Sequence, residues 1–166
     1  MFSPKAGLPK SSRCEPEHGE NGLSERLGWP FYDGDDFHPN ENVEKMRVGI
    51  ALTDEDRKIW LEILRAKIQR WLKHGQNTIL ACSALKQTYR DSLGVNQGTV
   101  RTVYLKGSYE LLCKRIEERR HPYMDKSLLR SQLETLEEPK DGLWVDISSS
   151  PETIVDTIIH QLKLNE

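Results

Sequence analysis

Asp33-Gly34-Asp35-Asp36-Phe37-His38-Pro39 puts three carboxylates and a histidine in one short run. Like charges this close repel unless a cation or a polyol spreads them. Two readings fit. One carboxylate could hold a Mg²⁺-bound water while another takes a proton from a sugar hydroxyl. The run could equally be a solvated acidic turn, since Asp-Gly is good turn chemistry. A second group is Cys82-Ser83-Ala84-Leu85-Lys86, followed by Tyr89-Arg90. Its small residues let a ligand approach the backbone. Lys86 and Arg90 are one helical turn apart, so both could reach one anion, and a planar guanidinium suits a carboxylate. An ordinary charged helix surface would read the same way. A third group is Lys106-Gly107-Ser108-Tyr109, then Lys114, Arg115, Arg119 and Arg120, then His121-Pro122-Tyr123-Met124. These cations could form a mobile lid that neutralises phosphate. They could also be a solvated helix balanced by Glu117 and Glu118. Arg47 and Arg57, near Lys45 and Met46, could each meet an anion.

These groups need a scaffold, and the pattern supplies one. Leu23 to Gly28 reads as the last turn of a helix with a glycine stop, and Pro30-Phe31-Tyr32 as a short strand. A long helix is expected from about Asp54 to His74. It is opened by Thr53 with Asp56, and Trp60, Leu61, Leu64, Ile68 and Trp71 form its apolar face. The two tryptophans read as core; His74 and His160 read as surface residues at helix ends. Thr78 to Cys82 reads as a strand buried on both faces. A short helix over Leu85–Leu93 and a strand over Val100–Leu105 follow. Next come a helix from Ser108 to about Arg120, a helix capped by Ser127 through Leu133, and a strand over Leu143–Ile147. A final helix opens at Ser150-Pro151 and runs to about Leu164. Strands alternating with helices predict an α/β fold, a parallel sheet with helices on both faces. In such sheets ligands bind beyond the carboxyl ends of the strands, where all three groups fall.

Composition narrows the class. Hydrophobic content of 36% and charged content of 30% in 166 residues suit one soluble globular domain. A net charge of −2 gives no reason to expect a nucleic-acid partner. No apolar run approaches the ~20 residues of a membrane helix, and no secretory signal is visible. Cys14, Cys82 and Cys113 are scattered and odd in number, neither a disulfide framework nor a zinc motif, so the cytoplasm is the expected location. Residues 1–22 are rich in Pro, Ser, Gly, Lys and Glu without apolar period. They are expected to be a disordered or atypical tail, with the folded domain spanning 23–166.

In order, the stretches LGWPFYDGDDFHPNENVEKM, GIALTDEDRKIWL, CSALKQTYRD, YLKGSYELL and SLLRSQLETLEEP resemble the gluconokinases of the P-loop kinase superfamily. The CSALK segment separates the chain from the related shikimate kinases, which lack it. The resemblance implies ATP-dependent phosphorylation of D-gluconate to 6-phosphogluconate with Mg²⁺. It implies a three-layer fold around a five-stranded parallel sheet with a lid, and dimers are common in the family, so a homodimer is an expected partner state. By position, Asp33 corresponds to the residue holding the metal's water, and Asp35 to the base facing the 6-hydroxyl. His38, Arg57, Lys86 and Arg90 correspond to gluconate ligands, and Arg115 and Arg119 to lid arginines near the phosphates. The lid departs from the family's Gly-His-Phe-Met, having His121-Pro122-Tyr123-Met124 instead.

The larger departure is at the other end. The family opens with an apolar central strand and then Gly-x-x-x-x-Gly-Lys-[Ser/Thr], whose backbone N–H groups wrap the phosphates. No such run occurs in this sequence. By the family's spacing it would fall at Lys10 to Glu17. There Lys10 and Glu15 occupy the glycine positions, Pro16 the lysine position and Glu17 the hydroxyl position. Residues 1–9 hold two prolines and make a poor central strand. Its neighbours would each keep an unpaired edge, and marginal stability is expected.

Overall fold

The computed structural model describes residues 20–95, 99–118 and 126–164. Along the chain run α1 (Glu20–Leu27), β1 (Phe31–Asp33), a 3₁₀ turn (Gly34–Phe37), α2 (Asn40–Arg47) and α3 (Asp54–Lys73). Then follow β2 (Ile79–Ala81), α4 (Gln87–Ser92), β3 (Val103–Lys106), α5 (Tyr109–Glu118), α6 (Lys126–Thr135), β4 (Leu143–Asp146) and α7 (Pro151–Leu162).

Local chemistry explains the element ends. Gly28 takes φ +63° just past α1, a conformation glycine adopts without steric cost. At the start of α3, Thr53 Oγ1 accepts from the Asp56 N–H and Asp56 Oδ2 accepts from the Thr53 N–H, a complete capping box. Ser150 Oγ accepts from the Thr153 N–H ahead of Pro151, and the Leu111 N–H donates to Ser108 Oγ at the start of α5. The cap expected at Ser127 is not one: α6 already begins at Lys126.

The sheet differs from the expectation of one continuous layer. Among the described residues there are two parallel pairs. Phe31, Tyr32 and Asp33 of β1 register with Ile79, Leu80 and Ala81 of β2. Val103 to Lys106 of β3 register with Leu143 to Asp146 of β4. Each pair has its own core. Beside β1–β2, Trp60, Leu61 and Leu64 of α3 pack with Cys82, Tyr89 and Leu93. Beside β3–β4, Leu112, Leu129, Val145, Ile147, Ile154 and Ile158 form a second cluster. The strand expected to be buried on both faces is only half-buried at Ile79 and Leu80. Among the described residues β2 pairs with β1 alone.

Arg90 ties the two halves together. Its Nη1 donates to the carbonyls of Ala84 (2.9 Å) and Leu85 (3.2 Å). Its Nη2 donates to the carbonyl of Glu137 (2.7 Å), in the segment between α6 and β4. Nε and Nη2 also reach Gln87 Oε1. Beside it the Glu137 N–H donates to the Leu85 carbonyl, and the Gln87 N–H donates to Glu137 Oε2.

Candidate active site at the carboxyl ends of β1 and β2

The acidic run turns directly off β1. Asp33 accepts the Asp35 N–H at 3.0 Å, which caps the 3₁₀ turn and folds the run back on itself. The turn lies against the end of β2: a Cβ on Gly34 would sit 2.8 Å from the Ala81 carbonyl oxygen, so the two backbones approach as only glycine allows. Trp60 reaches over from α3, and its indole N–H donates to the Gly34 carbonyl at 2.7 Å. Behind the turn, burial pushes the Cys82 thiol up to about 12, with nearby Asp35 and Asp33 adding to the shift. The thiol is therefore protonated at neutral pH.

His38 closes the turn. Its side chain is 4% exposed and its Nε2 lies 3.8 Å from Asp35 Oδ1. The ring stacks on Trp60, with centroids 4.4 Å apart. Burial, with the positive charge of Arg57 adding to it, holds His38 down at about 4. The imidazole is therefore neutral at neutral pH. The unfolded chain, with an ordinary histidine near 6.5, binds this proton first as pH falls. The native state keeps its full advantage above about pH 6.5 and loses it down through pH 4. A loss of ~2–3 kcal/mol across that window is expected. Urea melts at stepped pH should show the slope, and His38→Gln should flatten it. An equal slope in the variant would contradict this.

The cations come from α3 and from the segment after β2. Lys86 Nζ donates to both carboxylate oxygens of Asp54, at 2.8 and 2.7 Å, and the Tyr89 hydroxyl donates to Asp54 Oδ1. These bonds, Lys86 first, hold Asp54 below the usual carboxylate range, and Asp54 in turn raises Lys86. Lys86 Nζ also lies 5.6 Å from the Tyr89 ring centroid. Arg57 donates to the Leu52 carbonyl at 2.7 Å and lies over the Tyr89 ring. Asp33, Asp35, His38, Arg57 and Lys86 thus gather around the carboxyl ends of one strand pair. Arg90 is near in sequence, but its five N–H groups are taken up by protein acceptors at Ala84, Leu85, Gln87 and Glu137. Arg115 belongs to the other pair and donates to the Ile147 carbonyl at 2.6 Å, just past β4. Arg119, His121 and the rest of the expected lid tip lie outside the described residues, as does the Lys10 to Glu17 segment.

The sequence pattern did not reveal three participants. Asp54 is the partner of Lys86, thirty-two residues away. Trp60 is core and also a wall of the site. Asn42, on the polar helix α2, donates from Nδ2 to the Asp56 carbonyl at 2.8 Å and contacts His38 Nδ1 at 3.4 Å. The available signal for α2 was weak, only Val43 and Met46 at a spacing of three, and His38 lies outside the helix.

The arrangement offers acceptors and cations to a small polyhydroxylated anion. A family model described as shikimate kinase matches residues 21–163, which fits an α/β kinase fold. A probable gluconokinase of Dictyostelium discoideum is 38% identical over 156 residues, spanning 86% of this chain and 78% of that protein. A gluconokinase of Gluconobacter oxydans is 37% identical over 148 residues, spanning 87% and 83%. Among solved structures, a sugar kinase from a Janibacter species superposes with TM-score 0.79 at 38% identity, covering 87% of this chain and 86% of its own. A gluconokinase from Sinorhizobium meliloti gives TM-score 0.76 at 38% identity, covering 87% and 82%. The chain belongs to the gluconokinase family of shikimate-kinase-like P-loop kinases. A gluconokinase-like phosphotransferase function in general follows from that membership. No described helix is long and apolar enough to cross a membrane.

Proposed function

We propose that this chain binds D-gluconate at the carboxyl ends of β1 and β2, and that its reaction is ATP-dependent phosphorylation of the 6-hydroxyl to give 6-phospho-D-gluconate. The observation that carries this is the grouping of Asp35, His38, Arg57 and Lys86 near the carboxyl ends of β1 and β2, His38 beside Asp35 and Arg57 and Lys86 both beside Tyr89. Lys86 and Arg57 suit the substrate carboxylate. Asp35, next to the neutral His38, suits the hydroxyl and takes its proton as the oxygen attacks. Asp33 is a hard oxygen ligand of the kind Mg²⁺ accepts through water, and the cation would supply charge neutralisation for the transferred phosphoryl group. Arg115 and Arg119 would belong to a lid over the nucleotide. A continuous three-layer sheet would need a further strand to join the two pairs. A cytoplasmic homodimer with no nucleic-acid or membrane partner completes this reading.

A second reading is favoured by one observation: the sequence holds no Gly-x-x-x-x-Gly-Lys-[Ser/Thr] run. Phosphoryl transfer depends on positioning and charge stabilisation of the phosphates, so a chain without that cradle would bind gluconate without turnover. A coupled assay for 6-phosphogluconate with Mg-ATP and gluconate separates the two. Turnover within ~1–10³ s⁻¹ supports the kinase. No turnover from folded protein that still binds gluconate supports the binding protein.

A further inference from the structure

Asn42 is 4% exposed, and with Arg90 it is one of two buried polar or charged residues among the described residues. Its Nδ2 sits 2.8 Å from the Asp56 carbonyl, a group that can only accept, so that atom carries the amide hydrogens. The same nitrogen lies 3.4 Å from His38 Nδ1. A second N–H directed there requires a lone pair on Nδ1. A neutral imidazole has one N–H, so its proton then sits on Nε2. The amide is itself held in place, because α2 is tied to the first turn of α3 twice: through Asn42, and through Lys45 Nζ to Asp56 Oδ1 at 2.7 Å. The stack on Trp60 fixes the plane of the ring.

We infer that Asn42 is a positioning residue that holds His38 as its Nε2–H tautomer, so that a donor stands beside the acceptor oxygen of Asp35. The Nε2 to Oδ1 separation of 3.8 Å is too long for a direct hydrogen bond. One oxygen atom can nevertheless sit about 2.8 Å from both. That oxygen must accept from His38 and donate to Asp35, which a hydroxyl does and a ketone or carboxylate oxygen does not. The pair therefore selects an alcohol group. This deepens the gluconate reading and rests on it for the identity of the hydroxyl's owner.

The test is a long-range ¹H–¹⁵N correlation spectrum of the whole ¹⁵N-labelled chain at neutral pH. The His38 signals are identified by their loss in His38→Gln. The expected pattern has Nδ1 unprotonated and Nε2 protonated. In Asn42→Asp the new carboxylate can only accept, so the proton should appear on Nδ1, with gluconate affinity falling about tenfold for the lost hydrogen bond. An Nδ1–H tautomer in the unmodified protein would overturn the inference. So would an unchanged pattern in a folded Asn42→Asp variant. Should that variant fail to fold, the unmodified protein's spectrum decides alone. The expected tautomer without gluconate binding would count against the gluconate reading and leave the Asn42–His38 assignment standing.

Discussion

Arg90→Ala is expected to destabilise the protein by ~2–5 kcal/mol, one of the largest losses a single substitution should cause here. Arg90 is 5% exposed and its five N–H groups reach Ala84, Leu85, Gln87 and Glu137. Leu85 keeps a second donor in the Glu137 N–H, but the Ala84 and Glu137 carbonyls would lose the bonds Arg90 gives them. A buried carbonyl left without a partner costs about 1–3 kcal/mol; these two are part-buried and should each cost toward the lower end. The bonds also cross between two hydrophobic clusters that otherwise serve separate strand pairs, so their loss loosens one half from the other. Ala84 adds to this, because it sits at φ +20° and Arg90 is bonded to its carbonyl. Whole-protein stability is typically ~5–15 kcal/mol, so the variant should show a strongly lowered urea midpoint in a melt followed by circular dichroism, and should lose its native baseline if the chain is as marginal as its sequence suggests. Arg90→Lys should rescue little, since a point-like ammonium cannot reproduce a five-donor fork. A wild-type urea midpoint for Arg90→Ala would show that the two halves are held by something else.

Trp60→Ala should cost ~3–5 kcal/mol from the cavity alone, since the side chain is 1% exposed. Its effect should extend further than a core deletion. The indole N–H is bonded to the Gly34 carbonyl and the ring face carries His38. Removing it frees the turn that holds Asp33 and Asp35. Trp60→Phe separates the two roles: most of the packing remains while the Gly34 carbonyl loses its donor. The expected outcome is a smaller stability loss for Trp60→Phe with gluconate affinity still impaired. If Trp60→Phe binds gluconate as the unmodified protein does, the indole hydrogen bond does not position the site.

Where the sequence could be read, local physics was decisive. Thr53 with Asp56, and Ser150 with Pro151, announce helix starts through bonds made within one turn, and both are present. The apolar recurrence from Trp60 to Leu64 fixes the buried face of α3. The groups at the ends of β1 and β2 follow from the rule for parallel strands, which needs only their order. What escaped reading depends on distant partners. Helix α2 has only Val43 and Met46 for an apolar side, and Asn42 and Lys45 tie it to Asp56 on α3. Arg90 and Lys86 look equivalent in sequence, one turn apart, yet one is buried in carbonyls and the other is paired with Asp54 at the site. Ser127 misleads because α6 starts one residue earlier. A continuous sheet follows from alternation, but alternation does not count the strands that must join its two halves.

The most direct test of the site is calorimetric titration of D-gluconate into the folded chain, beside Lys86→Ala and His38→Gln. Saturable binding, weakened about tenfold or more in each variant, is the predicted result. Absence of binding by a protein that melts cooperatively, or binding indifferent to both substitutions, would contradict a gluconate site at the carboxyl ends of β1 and β2.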